Sequence, residues 1–388
     1  MHLPQGIAAP AETKVEVKCG ALTLLASNAI VAISGAIFFM IIKDKVCSFE
    51  SLYRSMRYCK RNVMWKDSTA GFVKNGLINC VDLHDELVRG TYRIGKYAIF
   101  EITEPKKRTI VSTRIRDRTF QRSLCDNYLY EAITKSFIYD NCACQVGKGT
   151  DFARNRLKSH LQKYYRKHGL DGYVLKCDIQ DYFGSTSHKV AEQAVRKRVK
   201  DKWAADEAVR IINSFTQGSN PDIGMGLGSQ VTQLVELAVL DDLDHYIKEQ
   251  LHIKHYIRYM DDFLLFHEDK SYLIYCKRTI AKKLSSLGLK LSVKKTQIFP
   301  IRQPIHFLGF SFKLSETGKV LMFVLPKKVT HERRKLKKLT NLCKKGIIAR
   351  RDVDKCFASW KAHAVKGDSY NLINSITNYY NDLWRDKP

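Results

Sequence analysis

The chain has 388 residues, enough for two or three domains with sizeable cores, and its 45% hydrophobic and 11% aromatic content with only 8 prolines excludes a disordered, collagen-like or miniature disulfide-stapled protein. Its 66 Lys and Arg against 39 Asp and Glu leave a net charge of +27, so the expected partner is a polyanion, nucleic acid first and an acidic membrane surface second. The 11 cysteines are odd in number and contain no CxxC pair, which points to reduced thiols in a cytoplasmic compartment.

In chain order, the first feature is an uncharged apolar stretch from Ala21 to Ile42, long enough to span a bilayer at about 1.5 Å per residue. Three readings stay open for it: a membrane tether with the basic body on the cytoplasmic side, a core helix, or residues upstream of a start at Met40. A helical region is expected over 46–92, with Leu77, Cys80, Val81, Leu87 and Val88 at helical spacing and His84 on the same face. Strands are predicted at Tyr97–Ile102 and Thr109–Ser112, the second of them inside a basic segment over 105–122.

The segment Tyr173–Asp178 reads as a short strand that ends in an acid and turns into a helix start at Asp181–Phe183. Residues His255–Phe266 read as two apolar strands joined at Asp261 and Asp262, a hairpin with two carboxylates at its tip. Gathering Asp178 beside Asp261 concentrates negative charge that folding disfavours unless divalent cations neutralise it, and hard oxygen ligands suit Mg²⁺. Two such ions can clamp the attacking and leaving oxygens of a phosphoryl transfer. A turn with solvated acids is the bland alternative for an Asp-Asp pair alone. A second basic run over 326–351 carries an apolar stripe of Leu336, Leu339 and Leu342; it reads either as a solvated helix face or as one wall of a channel for a nucleic-acid backbone.

These residues resemble the reverse transcriptase family, whose motifs occur in order over roughly 46–388. Asp178 and Tyr259-Met-Asp-Asp262 match its two catalytic blocks, Leu227-Gly-Ser-Gln-Val-Thr-Gln233 the block between them, and Leu291–Ile298 and Phe307-Leu-Gly-Phe310 the two that follow. The resemblance implies an α+β right-hand polymerase: an N-terminal apolar segment (1–45), N-terminal helices and fingers (46–170), a palm with an antiparallel sheet (171–312) and a basic helical thumb (313–388). It implies an RNA-directed DNA polymerase that extends a DNA or RNA primer on an RNA template with dNTPs, using two Mg²⁺ ions with Mn²⁺ as a substitute.

By the same resemblance Asp178 and Asp261 are the metal ligands, Asp262 supports them and Ile179 lends its carbonyl. Lys295 matches the lysine that protonates departing pyrophosphate, with a solvated lysine as the alternative. Phe183 matches the ring under the sugar that clashes with a ribose 2′-OH, with a core phenylalanine as the alternative. Lys107, Arg108 and Arg116 resemble the fingers cations that meet the triphosphate; a salt-bridged surface is the alternative. Gly228 gives the backbone room beside the incoming base. Tyr259, Met260, Phe307, Leu308 and Gly309 are expected at the primer end, and Arg333, Arg334, Lys337 and Lys338 on phosphates of the duplex. Gly147-Lys-Gly-Thr150 resembles a block of bacterial members and lacks the spacing of a Walker loop. Trp360 and His363 read as helix packing.

Leu227 stands where many reverse transcriptases carry Gln, and Thr232-Gln233 where Ser-Pro is common; both resemble the enzymes of bacterial diversity-generating retroelements, which implies an accessory protein as partner and error-prone copying. The alternatives are a defence-associated, retron or group II intron enzyme, a non-catalytic polymerase-like binding module, and a membrane-bound basic adaptor. The stretch after the thumb is expected to hold no RNase H or integrase module.

Overall fold

The computed structural model describes residues 42–103, 108–215 and 220–385. Residues 21–41 of the apolar stretch, and Lys107, lie outside these. Among the described residues no helix is long and apolar enough to cross a membrane.

Among the described residues nine strands form three antiparallel sheets. β1 (Ala98–Ile102) pairs with β2 (Arg108–Ser112), with Ala98 opposite Ser112. The central sheet has the order β4-β5-β3-β6, from β3 (Tyr173–Asp178), β4 (His255–Tyr259), β5 (Asp262–His267) and β6 (Gln297–Pro300). The third sheet is β7 (Ile305–Phe307), β8 (Phe310–Leu314) and β9 (Val320–Val324), in that order.

The central sheet is covered on both faces, which is why its strands read as near-continuous apolar runs. The strand period of two sends Leu175, Cys177, Phe263 and Leu265 into one core and Val174, Leu264 and Phe266 into another. The first core receives Leu273, Cys276, Ile280 and Leu284, a stripe at helical spacing on the helix Lys270–Ser286, whose N-cap Asp269 accepts from the Ser271 amide. The second receives Ala153, Leu157, Leu161 and Tyr164 from the helix Thr150–His168, together with Phe307, Phe310 and Phe312 of the third sheet.

Two expectations change in detail. The helix Gly76–Val88 buries Cys80, Leu83 and Leu87 and turns Leu77, Val81 and Val88 outward. Its inward stripe meets the helix Phe49–Cys59, and His84 Nδ1 lies 2.7 Å from the Cys47 carbonyl. In the C-terminal bundle of helices Pro326–Lys344, Arg350–Ala364 and Tyr370–Asp382, Leu336 is fully buried with Val353, Phe357, Ile376 and Tyr380, whereas Leu342 lines a groove beside Arg334, Lys337 and Lys338. His363 packs on the Phe310 ring of β8, with 4.7 Å between ring centroids.

β4 is an edge strand of the central sheet, and residues 139–144 cover it: Arg258 donates its amide to the Asp140 carbonyl at 3.0 Å and its own carbonyl accepts from the Cys142 amide at 2.9 Å. Behind this seam Asp140 accepts from Arg156, from Lys248 at 3.1 Å and from His160 Nε2 at 2.9 Å, and His160 Nδ1 lies 3.3 Å from His255 Nδ1. Burial, with the charges of His160, Lys248, His168 and Lys163 around it, lowers the His255 pKa to about 4, and burial also lowers that of His160 against the pull of Asp140.

The His255 imidazole is therefore neutral in the fold above about pH 4, while an unfolded histidine protonates below about pH 6.5. Between that value and the His255 value of about 4 the unfolded chain binds more protons, so stability rises with pH across the window and is lost as pH falls. The thermal midpoint should drop on acidification through this range, and His255→Gln should flatten part of the drop; a midpoint independent of pH between about 6.5 and about 4 contradicts the assignment.

Candidate active site

The antiparallel register of β3 on β5 sets Asp178 directly opposite Asp262. β4 and β5 close through Met260 and Asp261, with Tyr259 opposite Asp262 and Met260 at a φ of 55°. The Ile179 amide donates to the Asp261 carbonyl at 3.3 Å. Three acids thus share one rim of the sheet because strand pairing, not side-chain attraction, brings them there.

Two lysines compensate this charge. Lys295 Nζ donates to Asp178 Oδ1 and Oδ2 at 2.7 and 2.8 Å, and Lys176 Nζ donates to Asp262 Oδ2 at 3.3 Å. Burial pushes the Asp262 carboxyl up to about 6; Lys176 pulls it down, and Asp178 and Asp261 push it further up. As arranged, no group of three His, Cys, Asp or Glu side chains among the described residues is set to hold a metal ion. The donor set still suits a divalent cation: all three groups are hard oxygen ligands, and Asp262 Oδ1 is buried without a hydrogen-bond partner. Asp178, Asp261 and Asp262 are the residues that would hold it.

The turn is braced from below by a buried ion pair. Arg258, with no exposed side chain, donates to Asp244 through Nε at 2.7 Å and Nη2 at 2.5 Å, and Tyr256 donates its hydroxyl to Asp244 at 2.6 Å. The remaining guanidinium donors reach the Met260 carbonyl at 3.1 Å and the Leu237 carbonyl at 3.2 Å. Close by, burial and the charge of Asp261 push the Glu236 carboxyl up to about 8, against hydrogen bonds from Tyr182 and Thr186.

A family model described as reverse transcriptase (RNA-dependent DNA polymerase) matches residues 103–312, more than half of the chain. The chain belongs to the reverse transcriptase family. Its helices and antiparallel sheets form an α+β fold of the right-hand polymerase class. Curated proteins yield no match. Among solved structures, an apo telomerase of Candida tropicalis truncated from its C-terminal domain is 13% identical with a TM-score of 0.44, over 59% of this chain and 54% of that one. A telomerase of Candida albicans in complex with a fragment of telomeric RNA is 12% identical with a TM-score of 0.45, over 74% of this chain and 58% of that one. The reverse transcriptase chain thus spans little more than half of these structures.

A Cβ at Gly228 would lie 2.8 Å from the Val111 carbonyl and 2.9 Å from Ser112 Cα, so the neighbour that demands glycine is the backbone of β2. Leu227, Gly228 and Gln233 line a cavity of about 990 Å³ together with Tyr58, Arg118 and Arg122. Arg108 opens β2 opposite Ile102. Arg116 spends its guanidinium on Glu86, on Asp117 at 3.2 Å and on the Arg93 carbonyl at 3.1 Å, the salt-bridged alternative of the sequence reading. Phe183 is half-buried against the first core, edge-on to Tyr182 at 5.9 Å.

Between β7 and β8, Phe307 and Phe310 pair across the turn Leu308–Gly309, where both residues have positive φ, 44° and 85°. Tyr259 packs on the second core, and Met260 Sδ lies 4.0 Å from Cys144 Sγ. Arg333 is engaged by Ser375 at 3.3 Å and by the Tyr379 ring, whereas Arg334, Lys337 and Lys338 border the open groove. Sequence reasoning missed Lys176, Arg258 and Asp244. Lys176 precedes Asp178 by two and so shares its face by strand period, a signal present in the sequence; Arg258 inside an apolar strand was a second. Nothing local marks Asp244.

Arg258→Leu leaves Asp244 buried without its counter-charge and should cost about 3–5 kcal/mol in stability. The double variant Arg258→Met with Asp244→Leu should regain most of that stability in denaturant unfolding yet extend primers slowly, because the Met260 carbonyl still lacks its donor. Full primer extension by the stable double variant contradicts the bracing role.

Proposed function

We propose that this reverse transcriptase extends a DNA or RNA primer on an RNA template with dNTPs, the primer 3′-oxygen forming a bond to the α-phosphorus as pyrophosphate leaves. The observation that carries the reading is the register that opposes Asp178 and Asp262 beside the Asp261 turn. Mg²⁺, or Mn²⁺ in its stead, would be held by these acids as two ions with the Ile179 carbonyl, and supplies charge that activates the hydroxyl and neutralises the triphosphate. Lys295 is the proposed proton donor to pyrophosphate, supported by an ammonium that already reaches Asp178. Phe183 is the proposed barrier to a ribose 2′-OH, and Leu227 and Gly228 are the proposed bed of the nascent base pair. Lys107 and Arg108 are proposed to meet the triphosphate; Arg116, tied to Glu86, is the weaker member of that group.

The finer reading is a cytoplasmic enzyme of a diversity-generating retroelement or related bacterial element, with an accessory protein. Its support is Leu227 and Thr232-Gln233, since an apolar side chain at 227 gives the nucleotide contact area but no hydrogen bond.

With Mg²⁺, a primed RNA template and dNTPs, the parent should extend the primer, and Asp178→Asn and Asp261→Asn should each abolish extension. Two active variants would dismiss the metal assignment. Binding to an RNA–DNA duplex should weaken steeply with salt. Neutralising Arg334, Lys337 and Lys338 should reduce the log–log slope by about one unit for each phosphate no longer neutralised, and Arg333→Gln should change it less. Equal slopes in all variants would make the run a solvated face.

A further inference from the structure

Lys176 has a second acceptor besides Asp262. Its Nζ donates to the His306 carbonyl at 2.6 Å, so one ammonium joins a carboxylate at the rim of the central sheet to the backbone of β7 in the third sheet. The two sheets share no backbone ladder. Val174, Lys176 and Asp178 lie on one face of β3, and Val174 shares the second core with Ile305 and Phe307 of β7. β7 is the edge of its sheet, and its residues lead directly into the turn Leu308–Gly309. Only 20% of the Lys176 side chain is exposed.

We propose that Lys176 is a positioning residue that ties the Leu308–Gly309 hairpin to the catalytic carboxylates, so that one side chain sets where the primer 3′ end lies relative to them. This rests on the reading of that hairpin as the primer contact. An ammonium is suited to such a tie because it carries three donors, can serve a carboxylate and a carbonyl together, and offsets with its charge part of the repulsion among three acids. Methionine fills the same space with neither property. Arginine keeps the cation and the donors. A shift of the order of 1 Å at the hairpin is enough to lower the rate of an in-line transfer while leaving the duplex bound.

The test compares the parent with Lys176→Met, Lys176→Arg and Lys176→Gln. Pre-bound duplexes with matched and mismatched primer 3′ ends are extended in single turnovers, and amide hydrogen exchange is followed over His306–Phe310 in the free protein. Lys176→Met should slow matched extension about tenfold or more, the worth of a lost charge-assisted hydrogen bond, with duplex affinity unchanged and a smaller loss on the mismatched end. Exchange over the hairpin should rise at an unchanged unfolding midpoint, and Lys176→Arg should recover most of both signals. Lys176→Gln, a neutral donor too short to span both acceptors, should behave like Lys176→Met and serves if the latter does not fold. Unchanged exchange, an unchanged matched-to-mismatched ratio, or an Arg variant no better than Met would overturn the proposal. A parent that extends no primer would instead sink the functional reading, and the exchange arm would still judge the tie.

Discussion

A guanidinium without exposed surface, held by one carboxylate of equal burial, is the interaction on which the hairpin carrying Asp261 and Asp262 depends. Taking Arg258 and Asp244 out of water carries a large desolvation cost that good geometry must offset. Here the geometry is bidentate, Tyr256 adds a third bond to Asp244, and the spare donors go to the Met260 and Leu237 carbonyls. The turn at Met260 sits at positive φ, a conformation that a methionine rarely adopts unaided. The buried pair is thus a rigid bracket between the helix Asp241–His245 and the tip that carries Asp261.

Charge on the other side of that tip is handled by lysines. The backbone register leaves three acids at one rim whatever their mutual repulsion, and Lys295 meets Asp178 while Lys176 meets Asp262. An ammonium neutralises a carboxylate with a hydrogen bond that can be surrendered. Burial, with a smaller push from Asp178 and Asp261, raises the Asp262 carboxyl to about 6 despite its lysine. The loop before the helix Gln230–Val239 meets the backbone of β2 as closely as backbone permits at Gly228, and this close approach accounts for the glycine.

How much of this is legible in the chain depends on the range of the signal. The strand ending at Asp178, the hairpin around Asp261 and Asp262 and the basic helix after 326 follow from local chemistry: apolar runs of strand length, acids at their ends, a leucine stripe among lysines. These signals, with the order of the motifs, determine the right-hand class and the carboxylates. Tertiary structure alone decided which face of Gly76–Val88 turns inward, because the helix Phe49–Cys59 supplies the partner. It also decided that Arg116 serves Glu86, that Arg258 finds Asp244, and that Lys176 reaches a carbonyl in β7. The physical reason is common to all of them: periodicity is written into neighbouring residues, whereas the partner of a cation is chosen by packing among many carboxylates and carbonyls distant along the chain.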